Sequence, residues 1–339
     1  MNDEQRQVMV DPHFPIEWRD VSDFLNEFGP FNGRYVPRYP NDWTSRLKAR
    51  IDAFSSDSLK PVKRQELLER VRREAELCTL QEPWSWASGK SWSANIEDKI
   101  TGYPKPIVVG DALDPSPFES WTNALDDIRQ SKQRTLSFEN SISGYVALCR
   151  PLFINSPVGY IVDPYFNPFS SMSENLFRSI FTTIKGSKCY SIELITRREK
   201  RKKDDPLFVL SDDEISKKLL SLYSTVLPKG RTLKIHIVSE PEKKWAGGLQ
   251  LHDRFIITMY GSINFGHGFK LQEDQRDKTI LINAFVLDRA HHKELKQTYI
   301  KGVALHADHL QRIAGIEYPL NVKTFVVAPP SDSEMKFRN

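Results

Sequence analysis

The chain has 339 residues, 39% hydrophobic and 27% charged, a balance typical of folded domains and distant from that of disordered or collagen-like chains. Its length is enough for two domains of ordinary size. The sequence has no apolar stretch of the roughly 18 residues that a transmembrane helix needs, and no apolar secretion signal. The three cysteines form no CxxC or zinc motif, and GxGxxG, P-loop and GxSxG motifs are lacking. We expect a cytoplasmic protein with reduced thiols and without metal, cofactor or membrane contact.

The net charge of +4 is distributed unevenly along the chain. Residues 1–140 carry 19 basic and 23 acidic side chains, whereas residues 141–339 carry 29 and 21. Six of the seven tryptophans lie in the first part. This asymmetry favours an anionic partner for the second part.

Residues 1–140 are predicted to form a mainly helical, Trp-rich region. The run 62–80 has apolar side chains at helical spacing, which predicts an amphipathic helix. Trp84, Trp86 and Trp92 lie in a Ser-rich connection, where they either pack into a groove of their own domain or offer a stacking surface for bases. The acidic, Trp-rich composition also makes this region a candidate for docking a partner protein.

Strand and helix patterns alternate from residue 141 to residue 327, which predicts an α/β domain with a mixed or parallel sheet covered by helices. Ser173 and Ser211 are the predicted N-caps of the helices after the first two strands. Residues 328–339 are predicted to be a disordered tail. The predicted strands are 159–166, 189–196, 232–239 and 279–288, with a hairpin inside 249–269.

The segment LQLHDRFIITMYGSINFGHGF, residues 249–269, has side chains suited to binding a phosphate group. His252 and Arg254 share one face of the predicted strand because side chains alternate along a strand. Arginine offers a bidentate fork of donors, and Ser262 and Asn264 in the following turn add neutral donors. The segment therefore predicts an anion site formed by these four side chains.

The same segment also has an interpretation without a ligand. It would then be an edge hairpin whose His252 and Arg254 are solvated or paired with Asp163 or Glu193. Glu193 is a polar residue in an apolar strand, and its expected partner is Arg254 or an arginine of the basic segment that follows this strand. For Glu193 we expect structural pairing rather than catalysis.

The order of elements from DPYF to GSINFG resembles a phospholipase D-like domain over residues 145–300. The family signature is HxKxxxxD followed by GSxN. His252 matches the nucleophilic histidine of this signature, and Gly261, Ser262 and Asn264 match its second element. The resemblance implies a mixed sheet flanked by helices.

The chain departs from the enzyme signature at two positions. Arg254 stands at the lysine position and Met259 at the aspartate position, and the two elements are closer together than in the enzymes. The HDR strand and the G-x-G-F ending are similar to noncatalytic phospholipase D-like domains such as the C-terminal domain of MIT-containing proteins. The resemblance implies a nucleic-acid-binding accessory protein, by analogy in prokaryotic antiviral defence or DNA processing.

A metal-independent phosphodiesterase or nuclease is the alternative that the same resemblance implies. In the enzymes one histidine attacks phosphorus and a second protonates the leaving oxygen. The chain has one such motif, so catalysis would need a homodimer that brings two copies of His252 together. The catalytic residues would then be His252, Arg254 and Asn264.

The segment RREKRKKDD, residues 197–205, concentrates basic side chains directly after the second predicted strand, and lysines also precede that strand. Such clusters attract phosphate backbones through counterion release. The alternative is a solvated loop that aids solubility. The predicted contacts to DNA or RNA are Lys185, Lys188, Arg197, Arg198, Lys200, Arg201, Lys202 and Lys203.

Overall fold

Two groups of secondary-structure elements follow each other along the chain. They belong to two compact units, Met1–Leu136 and Ser137–Asn339, and the boundary predicted from sequence was near residue 140. Within the described segments, every helix is too short or too polar to span a bilayer. The computed structural model describes residues 8–54, 60–82, 84–100, 107–110, 118–130, 135–198, 209–239, 254–266, 281–304 and 321–327.

Helices predominate in the first unit, but its described part also contains two small parallel sheets. Strand β4 is the centre of one sheet, between β1 and β5, and β2 pairs with β3 in the other. The elements are β1 (Val8–Val10), α1 (Trp18–Glu27), β2 (Val36–Arg38), α2 (Trp43–Asp52), α3 (Pro61–Glu74), a 3-10 turn (Ala75–Cys78), β3 (Thr79–Gln81), α4 (Trp92–Ile100), β4 (Ile107–Val109), β5 (Phe118–Glu119) and α5 (Trp121–Gln130).

The tryptophans of the first unit are part of its core. Trp43 is fully buried within the main apolar cluster. Trp92 and Tyr39 belong to a second, smaller cluster, against which the half-buried Trp84 and Trp86 pack. The Ser-rich connection therefore directs its tryptophans into its own unit, the first of the two interpretations given above.

The second unit is built on one mixed sheet with helices on both faces. Among the described strands, the order in the sheet is β13, β9, β8, β7, β10, β11, β12, β6. The elements are β6 (Thr135–Glu139), α6 (Ile142–Asn155), β7 (Val158–Val162), α7 (Ser171–Thr183), β8 (Ser191–Arg197), α8 (Asp212–Tyr223), β9 (Thr232–Ser239), β10 (Phe255–Thr258), β11 (Ser262–Asn264), β12 (Leu281–Val286), α9 (Arg289–Leu295) with a π-helical continuation (Lys296–Ala304), and β13 (Asn321–Val327).

The strands β7, β8 and β9 run parallel at the centre of this sheet, and β10 runs antiparallel to β7. The predicted hairpin of β10 and β11 is present, but it lies inside the sheet and not at its edge. Phe255, the first residue of β10, therefore pairs with Val162, the last residue of β7. We call the end of the sheet where β7, β8 and β9 finish the carboxyl edge, and the opposite end the amino edge.

Alternation of side chains along β7 assigns the covering helices to the two faces. A Cβ atom on Gly159 would meet the ring of Phe153, so this face of β7 packs against α6. Tyr160 and Val162 face the other way and pack with Leu295 and the π-helical continuation of α9. Both faces of the central strands are thus covered, which explains their continuous apolar sequences.

Of the two N-caps predicted from the sequence, one is confirmed and one is corrected. Ser211 caps α8 and forms the predicted capping box with Glu214. Helix α7, however, is capped by Ser170, whose hydroxyl accepts the backbone N–H of Ser173 at 3.1 Å. Ser173 is therefore the third residue of the helix and not its cap, because Ser170 supplies the same type of acceptor one turn earlier.

Candidate functional site

Four side chains meet at the carboxyl edge of the sheet, and we call them the edge cluster: Asp163, Tyr165, Arg197 and Arg254. Asp163 and Tyr165 follow β7 directly, Arg197 is the last residue of β8, and Arg254 immediately precedes β10. Because β7 and β8 are parallel and β10 is antiparallel to them, two strand ends and one strand start deliver these residues to the same place.

Arg254 is held on two sides at this edge. Its Nε lies 3.5 Å from Oδ1 of Asp163, and its Nη1 donates to the carbonyl oxygen of Gly266 at 2.9 Å. The Asp163 side chain is 5% exposed and that of Arg254 is 15% exposed. Pairing of Arg254 with Asp163 is one of the contacts expected for a hairpin without a ligand. The pairing fixes the direction of the guanidinium. It leaves room for an additional anion, because a guanidinium has five N–H donors.

Two guanidinium groups contact the ring of Tyr165. The Cζ atoms of Arg197 and Arg254 lie 4.7 and 5.1 Å from the ring centre, within the range of cation–π attraction. Arg197 is buried, whereas Tyr165 keeps 41% of its surface exposed. The ring thus holds two positive charges together in a residue that remains partly exposed.

Tyr145 of α6 adds a neutral phenol to the surroundings of the edge cluster. Burial, followed by the negative charge of Asp163, raises the pKa of Tyr145, and the charge of Arg254 opposes this only in part. The phenol of Tyr145 therefore stays protonated at physiological pH and leaves the charges of the edge cluster to its arginines and Asp163.

The predicted phosphate site of four side chains is not assembled as one group. Ser262 is fully buried at the amino edge, where its hydroxyl lies 2.6 Å from Nδ1 of His292. Asn264 pairs with Phe255 in the hairpin, so alternation places its side chain on the face opposite to that of Arg254. The prediction for Ser262 is therefore wrong in placement, and His252 lies outside the described residues.

The predicted nucleic-acid contacts are also divided. Lys185 and Lys188 are exposed just before β8, at the amino edge, whereas Arg197 ends the same strand about 20 Å away. Arg197 is 1% exposed and belongs to the edge cluster, not to a solvated loop. Lys185 and Lys188 therefore lie at the opposite edge of the sheet from Arg197. Lys200, Arg201, Lys202 and Lys203 lie outside the described residues, as does the predicted tail 328–339.

Arg198 anchors the chain where the basic segment leaves the sheet. Its Nη1 donates to Oδ1 of Asp212 at 2.9 Å, and its Nη2 donates to the carbonyl oxygen of Leu210 at 2.6 Å. The two ends of segment 199–208 are thus joined beside the carboxyl edge. Arg198 itself acts as a structural anchor and not as a free contact.

Glu193 has partners that the sequence did not predict. Its two carboxylate oxygens lie 2.9 Å from Nε2 of His236 and 3.0 Å from Nζ of Lys234, both on the neighbouring strand β9. Burial alone would raise the pKa of Glu193, but these hydrogen bonds outweigh it and hold the pKa below its usual value. The expected pairing with Arg254 is corrected, because Arg254 lies at the sheet edge while Glu193 lies in the middle of β8.

Tyr165 is the member of the edge cluster that sequence reasoning missed. The available signal was its place directly after Asp163 and Pro164, since residues that follow parallel strands gather at the carboxyl edge. No set of three potential metal ligands occurs among the described side chains.

Comparison with models of known protein families found none that matches this chain, and comparison with curated proteins found no match either. The geometry of the edge cluster and the charge around it are therefore the observations that bear on function.

Proposed function

We propose that the second unit binds the phosphate backbone of nucleic acids at the carboxyl edge, with Arg254 as the central contact. The observation that carries the proposal is the fixed position of Arg254 there: Asp163 and the Gly266 carbonyl hold its Nε and Nη1. Within the described part of the chain no bond engages its Nη2. A guanidinium positioned in this way can donate to a phosphate oxygen without first losing the entropy of a free side chain.

Charge around the edge cluster supports the same proposal. Residues 141–339 carry 29 basic and 21 acidic side chains, an excess of eight basic ones. The basic segment 197–205 leaves the sheet at the same edge as Arg254, because β8 ends at Arg197. Sequence-independent binding of a polyanion by such a region falls steeply as salt concentration rises.

We propose further that this unit is a degenerate phospholipase D-like domain. The motif residues and the order of elements support this, together with an interior antiparallel strand that begins after Arg254 beside three parallel strands. The shorter motif, with Met259 at the aspartate position, favours binding over hydrolysis.

The first prediction concerns Arg254→Gln, which removes the charge and leaves a shorter, neutral polar side chain. We expect at least tenfold weaker binding of a fluorescein-labelled 20-nucleotide DNA, measured by fluorescence anisotropy at 50 mM salt, since one charged hydrogen bond is worth about 1.5–3 kcal/mol. Arg254→Lys, which keeps the charge and loses the planar fork, should bind with intermediate affinity. Thermal unfolding of each variant checks that it folds.

The matched control is the double variant Lys185→Gln, Lys188→Gln, which removes two charges from the amino edge. Its affinity should stay within about threefold of the starting protein, because about 20 Å separates the two edges of the sheet, more than the Debye length of roughly 14 Å at 50 mM salt. Equal losses in the control and in Arg254→Gln would contradict the proposal.

The same assay separates binding from hydrolysis. Incubation of labelled DNA and RNA with EDTA should leave both intact. Cleavage that disappears in His252→Ala would instead support the homodimeric phosphodiesterase. If neither binding nor cleavage occurs at low salt, the remaining function is docking of a partner protein through residues 1–140.

A further inference from the structure

The exposed ring of Tyr165 is a feature of the carboxyl edge that phosphate binding does not use. Tyr165 keeps 41% of its surface exposed although Arg197 and Arg254 both contact its ring. In the described part of this unit two other tyrosines are also exposed, Tyr190 at 53% and Tyr260 at 37%. Both lie at the amino edge: Tyr190 directly precedes β8, and Tyr260 lies in the turn between β10 and β11. Among these exposed tyrosines, Tyr165 therefore is the one that adjoins the guanidinium groups.

The backbone around Tyr165 is fixed before any ligand binds. Its N–H donates to Oδ1 of Asp163 at 2.9 Å, and the hydroxyl of Thr196 donates to the carbonyl oxygen of Pro164 at 3.3 Å. The proline between them restricts the backbone further. A ligand that contacts the ring therefore meets a surface whose conformational entropy has already been lost.

An aromatic ring beside fixed arginines matches one class of phosphate-bearing ligand. Single-stranded nucleic acids expose base faces, which stack on aromatic side chains while arginines or lysines contact the backbone. In a duplex the base faces are covered by neighbouring base pairs, and exposing one costs a few kcal/mol. Inorganic polyphosphate has the charge and no base at all.

We infer that the ligand of the carboxyl edge is single-stranded nucleic acid, DNA or RNA, and that Tyr165 stacks on a base whose neighbouring phosphate contacts Arg254. This inference rests on the proposed function, since it assigns the substrate class of the same site. The guanidinium groups contribute twice, by holding the ring and by adding cation–π attraction to the stacked base.

The test compares Tyr165→Leu, Tyr165→Phe and Tyr190→Leu. Affinities are measured for labelled 20-nucleotide oligo(dT), 20-nucleotide oligo(U) and a 20-base-pair DNA duplex, and for polyphosphate by competition against labelled oligo(dT) bound to each variant. Tyr165→Leu should weaken binding of a single strand about 5- to 150-fold, which corresponds to the loss of one stacked base. It should leave duplex and polyphosphate affinities within about twofold. Tyr165→Phe, which keeps the ring, should retain single-strand affinity, and so should the amino-edge control Tyr190→Leu.

The outcomes distinguish this inference from the proposed function. If Tyr165→Leu and Tyr190→Leu bind single strands alike while Arg254→Gln weakens all ligands, the site binds phosphate and the stacking inference is overturned. If Arg254→Gln weakens none of them, the proposed function fails first. An equal loss for duplex and polyphosphate in Tyr165→Leu would show that the ring only positions the arginines, which also overturns the stacking inference. A Tyr165 effect on oligo(U) alone, or on oligo(dT) alone, supports the inference and identifies the nucleic acid.

Discussion

His292 and Ser262 form a buried pair that determines the role of both residues. The 2.6 Å contact fits a neutral imidazole whose Nδ1 accepts a hydrogen bond from the Ser262 hydroxyl, with the protonated Nε2 3.4 Å from the carbonyl oxygen of Met259. Burial lowers the pKa of His292 to about 4, the Met259 carbonyl opposes this shift, and the charge of Lys296 adds to it. His292 is thus held in its neutral form.

This pair predicts a specific loss of stability in acid. A histidine with a pKa of about 4 when folded and 6.5 as a free side chain is protonated first in the unfolded chain. Its contribution is therefore complete above pH 6.5 and is lost as the pH falls toward 4. At pH 5 the second unit should be about 2 kcal/mol less stable than at pH 8, by linkage.

Urea unfolding at pH 8 and pH 5 measures this difference, and His292→Gln is the comparison. Glutamine does not titrate, so the variant should lose about 2 kcal/mol less between the two pH values, whatever its stability at pH 8. Identical pH dependence in both proteins would show that His292 does not cause the loss.

Helix α6 and strand β7 approach each other too closely for any side chain at position 159. A Cβ atom there would lie 2.4 Å from the ring of Phe153 and 3.2 Å from Ile192. Phe153 and Ile192 are both fully buried, so neither can move aside freely. Glycine in the middle of this strand is therefore a packing requirement of the helix on the sheet.

Gly159→Ala should accordingly destabilise the second unit by about 1–3 kcal/mol, the usual cost of overpacking a core. The measurement is the urea midpoint at constant slope. The double variant Gly159→Ala, Phe153→Leu should lose clearly less free energy of unfolding than the two single variants lose in sum. The smaller side chain at position 153 leaves room for the methyl group. Simple additivity would contradict the packing argument.

The whole molecule divides into units that differ in charge and in core. Residues 1–140 have more acidic than basic side chains, 23 and 19, and their main apolar cluster includes Trp43 and Trp121. The second unit has its own cluster between the sheet and the π-helical segment. The boundary after Leu136 falls inside strand β6, which begins at Thr135 and joins the large sheet, so fragments that keep this strand whole are divided before it.

Separate expression of residues 1–130 and 131–339 tests this organisation. Fragment 131–339 should unfold cooperatively and keep single-strand affinity within about threefold, because Arg254 and Tyr165 both lie within it. Fragment 1–130 should fold and bind no nucleic acid at 50 mM salt. Binding by fragment 1–130 would contradict the assignment of the ligand to the second unit.

The sequence by itself determined several elements of the second unit, but not β6, α6 or β13, and only some of the element ends. The strand at 232–239 is present with the predicted bounds, and Ser211 caps its helix through Glu214 as expected. Both features depend on residues within one turn or one strand, where alternation and capping chemistry act directly. The charge difference between the two parts is likewise complete in the sequence.

The tertiary structure alone decided which side chains meet. Ser262 contacts His292 thirty residues away, Glu193 contacts β9, and Lys185 and Arg197 lie at opposite edges although twelve positions separate them. These outcomes depend on the order and direction of strands in the sheet, which local patterns do not encode because each strand can pair with several others. The edge cluster exists for that reason: parallel β7 and β8 and antiparallel β10 bring Tyr165 and the two arginines together from three distant segments.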